Sequence, residues 1–211
     1  SSLSANGGTI RDNASNNTTL TLASPGASGS IGANKSIVID GILPTVDNVS
    51  SSTSDGRYFT GDNITITVGF DENVYVDNSS GNPRIELETG SNDRYANYIS
   101  GNSSSVLSFL YTLQSGDNSS DLDYKATDSL SANSGTIRDS ATNDATLTLQ
   151  SPGSSGSLRV NKNLVIDGII PTITGFSPSD NSSFLKENTN FNVNFSENIL
   201  TSTLTTNTAN T

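Results

Sequence analysis

Residues 2–45 read SLSANGGTIRDNASNNTTLTLASPGASGSIGANKSIVIDGILPT, and the stretch returns at 129–172 as SLSANSGTIRDSATNDATLTLQSPGSSGSLRVNKNLVIDGIIPT. Of the 44 aligned positions 31 are identical, and every partner lies 127 positions further on without a gap (Ser2 to Ser129, Thr45 to Thr172). The apolar replacements are mild: Ile31 against Leu158, Ile37 against Leu164, Leu43 against Ile170. A solenoid unit runs to roughly 20–50 residues and cannot bury its own apolar face. The longer period here has the size of an independent domain. The chain therefore reads as a string of beads. Residues 1–43 are the C-terminal part of one repeat, 44–170 a complete repeat, and 171–211 the N-terminal part of a further domain.

Between the two copies, apolar residues alternate with polar ones at the two-residue period of half-buried strands. Ile64, Ile66, Val68 and Phe70 form one such series, and Leu107, Phe109, Tyr111 and Leu113 another. Shorter runs carry Ile85 and Leu87, Tyr95 and Tyr98, Leu147 and Leu149, and Leu164 to Ile166. Clusters that form turns separate them: Ser54-Asp55-Gly56, residues 79–83, residues 100–103 and Ser151-Pro152-Gly153. No stretch carries helical periodicity with a cap. The expected fold is all-β, a series of antiparallel β-sandwiches, with an elongated barrel as the alternative.

Composition narrows the function. With 21 Asp and Glu against 10 Lys and Arg, the net charge is -11. Such a surface repels nucleic-acid phosphates and anionic membranes. The chain has no His and no Cys, so Ser-His-Asp and Cys-His triads are impossible and the usual zinc ligands are missing. No apolar run reaches the 18 or so residues of a membrane helix. Asp121 and Asp123 are candidate paired carboxylates, two apart on an apparent strand; the other reading is a solvated strand end or part of an ion site, and the expectation is that the chain is not an enzyme.

A resemblance supports this reading. Pro44-Thr45-Val46, Gly61-Asp62, Ile64-Thr65-Ile66-Thr67-Val68 and Phe70-Asp71-Glu72-Asn73-Val74 resemble the opening of a bacterial Ig-like, cadherin-like repeat. Residues 111–117, Gly135-Thr136-Ile137-Arg138-Asp139 and Val165-Ile166-Asp167-Gly168 continue the pattern. Pro171-Thr172-Ile173, residues 177–180, residues 192–198 and Ser202-Thr203-Leu204 resemble the start of an S-layer-type Ig-like domain. The resemblance implies a stalk of a large extracellular or surface-anchored bacterial adhesin or filament. Its partners would be neighbouring repeats of the same chain and, through open sheet edges, other copies by strand donation. Two other functions stay open: a carbohydrate- or protein-binding module, and an accessory domain of a secreted hydrolase.

Calcium is the expected cofactor, because oxygen ligands are what the chain has in excess. If Asp71-Glu72-Asn73 is the turn after the second strand, it lies at the junction with the preceding bead, whose last strand ends on Asp40. Asp40 is then expected near Asp71 and Glu72, and Asp167 near Glu197 at the next joint. The short linkers, residues 41–44 and 168–171, each end in Pro and are stiffer than a Gly/Ser tether. The alternative is that Asp40 and Asp167 bond backbone amides at their own turns. Asp117, Asp121, Asp123, Asp139 and Asp144 form a further acidic group with no geometry legible from sequence.

Overall fold

The longest strand shows its alternation directly. In β3 (Asn63–Asp77), Ile64, Ile66, Val68, Phe70 and Val74 are buried, while the residues between them face outward or sit half-buried. A computed structural model describes residues 3–179, 189–200 and 202. Asp180 and Thr203-Leu204 of the S-layer-type motifs lie outside the described residues. The chain divides into two units, Ser1–Ile42 and Leu43–Thr211.

The second unit is all-β. Before β3 come β1 (Val46–Ser51) and β2 (Gly56–Phe59). After it come β4 (Arg84–Glu88), β5 (Arg94–Ser100), β6 (Ser104–Thr112), β7 (Asn118–Ser119) and β8 (Asp123–Tyr124). Then follow β9 (Leu130–Ser131), β10 (Thr136–Arg138), β11 (Leu164–Asp167), β12 (Ile173–Ser177) and β13 (Asn192–Phe195). The main sheet runs β1-β3-β6-β5-β4-β8, with β10 added to the far half of β3 and β9 to β4. It is antiparallel and curls into a half-barrel. A smaller sheet, β2-β11-β7, contributes Leu164 and Ile166 to the same core. Its β2–β11 pair is parallel, which hairpin logic does not anticipate. The strands join residues about 110 apart (Leu164 on Gly56), so no local turn encodes the pairing.

Two expectations need correction. Asp71-Glu72-Asn73 is not a turn. It lies inside β3, where pairing with β6 jumps from Gly69–Val106 to Val74–Ser104. Five steps on β3 oppose two on β6, so the segment is a bulge that lets one long strand serve two sheet regions. Residues 147–149 belong to no strand, although Leu149 is buried in the core.

The first unit tests what the repeat encodes locally. Arg11 Nε donates to Asn17 Oδ1, as Arg138 Nε donates to Asp144 Oδ1. Asp12 accepts the Asn16 amide and side chain, as Asp139 does from Asn143. The one-turn helix α1 (Ile31–Asn34) recurs as α2 (Leu158–Asn161). No strand forms among the described residues of this unit, however. The positions matching β11, residues 37–40, are irregular and exposed. Turns and a single helical turn close on neighbours in sequence. A strand needs partners, and the matching positions 164–167 have them in β2 and β7.

Candidate functional site: the two ends of the repeat

Chain entry is fixed at Thr45. Its N–H donates to Asp71 Oδ1 at 2.8 Å and its Oγ1 donates to Asp71 Oδ2 at 2.7 Å, while the Asp71 N–H returns to the Thr45 carbonyl. These bonds from Thr45, backbone first, hold the Asp71 carboxyl below its ordinary range. On the other side, the Thr146 N–H donates to the carbonyl of buried Pro44. Both Asp71 oxygens thus hold the entry strand in place, a use that the expectation of a metal ligand did not foresee.

The same clasp opens the third segment. Thr172 N–H donates to Ser196 Oγ and Ser196 N–H donates back to the Thr172 carbonyl. Val46 faces Phe70 across a bulged register, and Ile173 faces Phe195 across another. Ser196 therefore stands where Asp71 stands, and a hydroxyl replaces the carboxylate.

Beside the entry clasp, Glu72 is half-buried and Asp139 is buried, with a carboxylate oxygen of each within 4.8 Å of the other. Burial raises the Asp139 carboxyl, but the bonds from Asn143 and neighbouring amides outweigh it, so the group stays below its usual range. Asp139 is one of the five acids that sequence reasoning could not place. Its signal was the repeated Arg-Asp pair, Arg11-Asp12 and Arg138-Asp139.

Chain exit lies at the other end of β3. The buried Asp117 accepts from Arg94 Nε at 2.8 Å, Tyr111 Oη at 2.6 Å and the Gln114 N–H at 2.9 Å. Burial first, then the bond to Asp117, pushes the Tyr111 hydroxyl above its usual range, so it stays a donor. The Asp117 carbonyl takes the Gly168 N–H at 2.7 Å, and Gly168 returns its carbonyl to the Gly116 N–H. A Cβ on Gly168 would sit inside van der Waals contact of the Gln114 carbonyl and 3.0 Å from that of Asp117.

The remaining carboxylates serve the fold separately. Asp167 accepts the Ile169 amide and faces Arg57 at 3.4 Å, and Asp40 accepts the Ile42 amide. Each bonds an amide two residues on, which is the alternative weighed from sequence. Asp121 accepts the Leu164 amide. Asp123 is buried and accepts the Tyr124 and Gly153 amides; burial drives its carboxyl upward. Asp144 pairs with Arg138. Glu197 is half-buried, and its Oε1 has no hydrogen-bond partner among the described residues.

A scan against protein-family models, a search of curated proteins and a search of solved structures each found nothing that matches this chain.

Proposed function

We propose that the chain is a spacer, a run of Ig-like β-sandwich repeats in the stalk of an extracellular bacterial adhesin or surface filament, and that its role is mechanical, not catalytic. The observation that carries this reading is the placement of entry and exit. Entry is at Thr45, level with Phe70 and Asp71 on β3. Exit is at Gly168, level with Leu113 and Gln114; the Leu113 backbone bonds to Gly61 and Asp62 at the start of β3. The eight residue-to-residue steps from Asp62 to Phe70 span about 26 Å. Repeats that enter at one end and leave at the other add length with each copy, which is what a stalk requires. Electron microscopy of chains carrying increasing numbers of the 44–170 repeat tests this. Contour length should rise by a constant increment of about 26 Å or more per copy; compact particles of unchanging length would overturn it.

The proposal includes calcium at the joints, drawing on Asp40 with Asp71 and Glu72, and on Asp167 with Glu197. Support comes from the excess of oxygen donors and from the Glu72–Asp139 pair, whose like charges a hard cation would relieve. Asp71, committed to Thr45, would act there as a positioning group. Thermal unfolding with calcium and with chelator separates the two parts of the reading, since an unchanged midpoint removes calcium and leaves the spacer.

One observation favours a second reading, a carbohydrate-binding module. An open cavity is lined by the 43% exposed Tyr75 with Asp77, Asn102 and Arg138, an aromatic face beside polar groups of the kind that hold sugars. Loss of glycan binding on Tyr75→Ala would support it, and absence of any glycan binding would remove it.

A further inference from the structure

Where β10 joins the far half of β3, Arg138 lies opposite Tyr75 and Thr136 lies opposite Asp77. Val74 and Ile137 are buried, so by alternation these four side chains share the outer face. Arg138 and Asp77 stand at diagonal corners of it, about 7–8 Å apart. Together with Asn102 the four line an open cavity of about 590 Å³, which falls within the size range of small-ligand sites. Every lining residue belongs to the 44–170 repeat, so one bead builds the cavity alone.

Each polar group there is pinned by one part of its side chain and leaves another part unused. Asn102 Oδ1 accepts the Val76 N–H at 2.8 Å, which leaves Nδ2 to donate. Arg138 is held through Nε, which donates to Asp144 Oδ1, and both of its terminal nitrogens remain. Neither these nitrogens nor the Tyr75 hydroxyl makes a hydrogen bond among the described residues. The Ser79 amide, at 3.0 Å, and then the Ser79 hydroxyl hold the Asp77 carboxyl below its ordinary range. Asp77 is thus an ionised acceptor at neutral pH. Tyr75, 43% exposed, adds an apolar ring face. Side chains fixed in this way have less freedom to lose when a ligand arrives.

We propose that this cavity binds a neutral sugar, whose neighbouring hydroxyls bridge Asp77 and the donors Arg138 and Asn102 while its C–H face lies on Tyr75. The inference rests on the binding-module reading and adds the ligand's chemical class. A hydroxyl both donates and accepts, which matches an acceptor set beside donors. Charge decides against acidic sugars. Asp77 and Asp139 line the cavity and Asp144 stands behind Arg138, three carboxylates against one guanidinium. A sialic or uronic acid would bring a fourth carboxylate to that excess. Asp139 contributes charge and no hydrogen bond, because Asn143 already engages both of its oxygens. A cationic ligand would set its donors against those of Arg138 and Asn102.

The test presents the full chain to immobilised glycans, with neutral hexose and N-acetylhexosamine chains beside sialylated and uronate-bearing ones. Neutral glycans should be retained, and high salt should leave the binding unchanged, since the ligand carries no charge to screen. Tyr75→Ala, at an exposed position outside the core, should weaken binding about tenfold or more. Arg138→Gln should weaken it by about tenfold as well, and Tyr75→Ala decides alone if Arg138→Gln disturbs the turn at Asp144. Binding confined to acidic glycans, or unchanged in Tyr75→Ala, overturns this assignment and leaves the binding-module reading standing. Retention of no glycan at all overturns both.

Discussion

Ile39 and Ile166 are the same residue in the same local sequence, Val-Ile-Asp-Gly, 127 positions apart. Ile166 is 0% exposed between β2 and β7, while Ile39 is 92% exposed. Truncation to Ala is therefore an experiment with its control built in. Removing a buried Ile side chain to the β-carbon forfeits about 0.8 kcal/mol for each lost carbon, and the unfilled cavity adds to that. Ile166→Ala should cost about 2–5 kcal/mol. At about 3 kcal/mol the thermal midpoint of a unit this size falls by roughly 6–12 °C. Ile39→Ala removes atoms already in water and should stay within about 0.5 kcal/mol. Urea titration at fixed low protein concentration, followed by tyrosine fluorescence, reads both. An Ile39→Ala loss equal to that of Ile166→Ala would refute the reasoning, since it would mean that the first copy is packed in the isolated chain. A neutral Ile166→Ala would refute the placement of β11.

Further expectations concern the two ends of the repeat. Gly168→Ala should destabilise by about 1–3 kcal/mol, because its Cβ meets the Gln114 and Asp117 carbonyls; Gly41→Ala, with open space around it, should leave the thermal midpoint unchanged. Asp117→Ala strands Arg94 and the Tyr111 hydroxyl and should cost about 3–5 kcal/mol in urea unfolding. Asp71 and Asp139 have folded carboxyls below the ordinary 3.8, so their contribution is complete above that value and lost as pH falls through the folded one. Asp123, raised by burial, works in the opposite sense and gains on acidification. Midpoints measured across the acid range should therefore fall below about pH 4, and the fall should be shallower in Asp71→Asn.

What could be read from sequence followed the range of the interactions. Alternation marked β3, β4, β5, β6 and β11, because a half-buried strand writes its own period. Strand order and the parallel β2–β11 pair were not legible, since partners so distant in sequence leave no local trace. The bulge at Asp71-Glu72-Asn73 passed for a turn because both interrupt alternation with polar residues. The two helical turns escaped notice because four residues are too few to show a period. At the ends of the repeat, Asp71 stood out by its place after Phe70, but its bond to Thr45 depends on β1 lying beside β3. Asp117 and Asp139 could be named as acids and given no role, because Arg94, Tyr111 and Glu72 reach them only in the folded chain.

The spacer reading rests on a repeat that is entered at one end and left at the other. Since the sequence has no Cys, Asp47→Cys and Ile169→Cys place two spin labels at exposed positions beside the entry clasp and the exit glycine. Pulsed dipolar spectroscopy should give a backbone separation of about 26 Å or more. A distribution centred within the roughly 14 Å reach of four residues would place entry and exit side by side, and repeats joined that way would fold back on one another instead of extending.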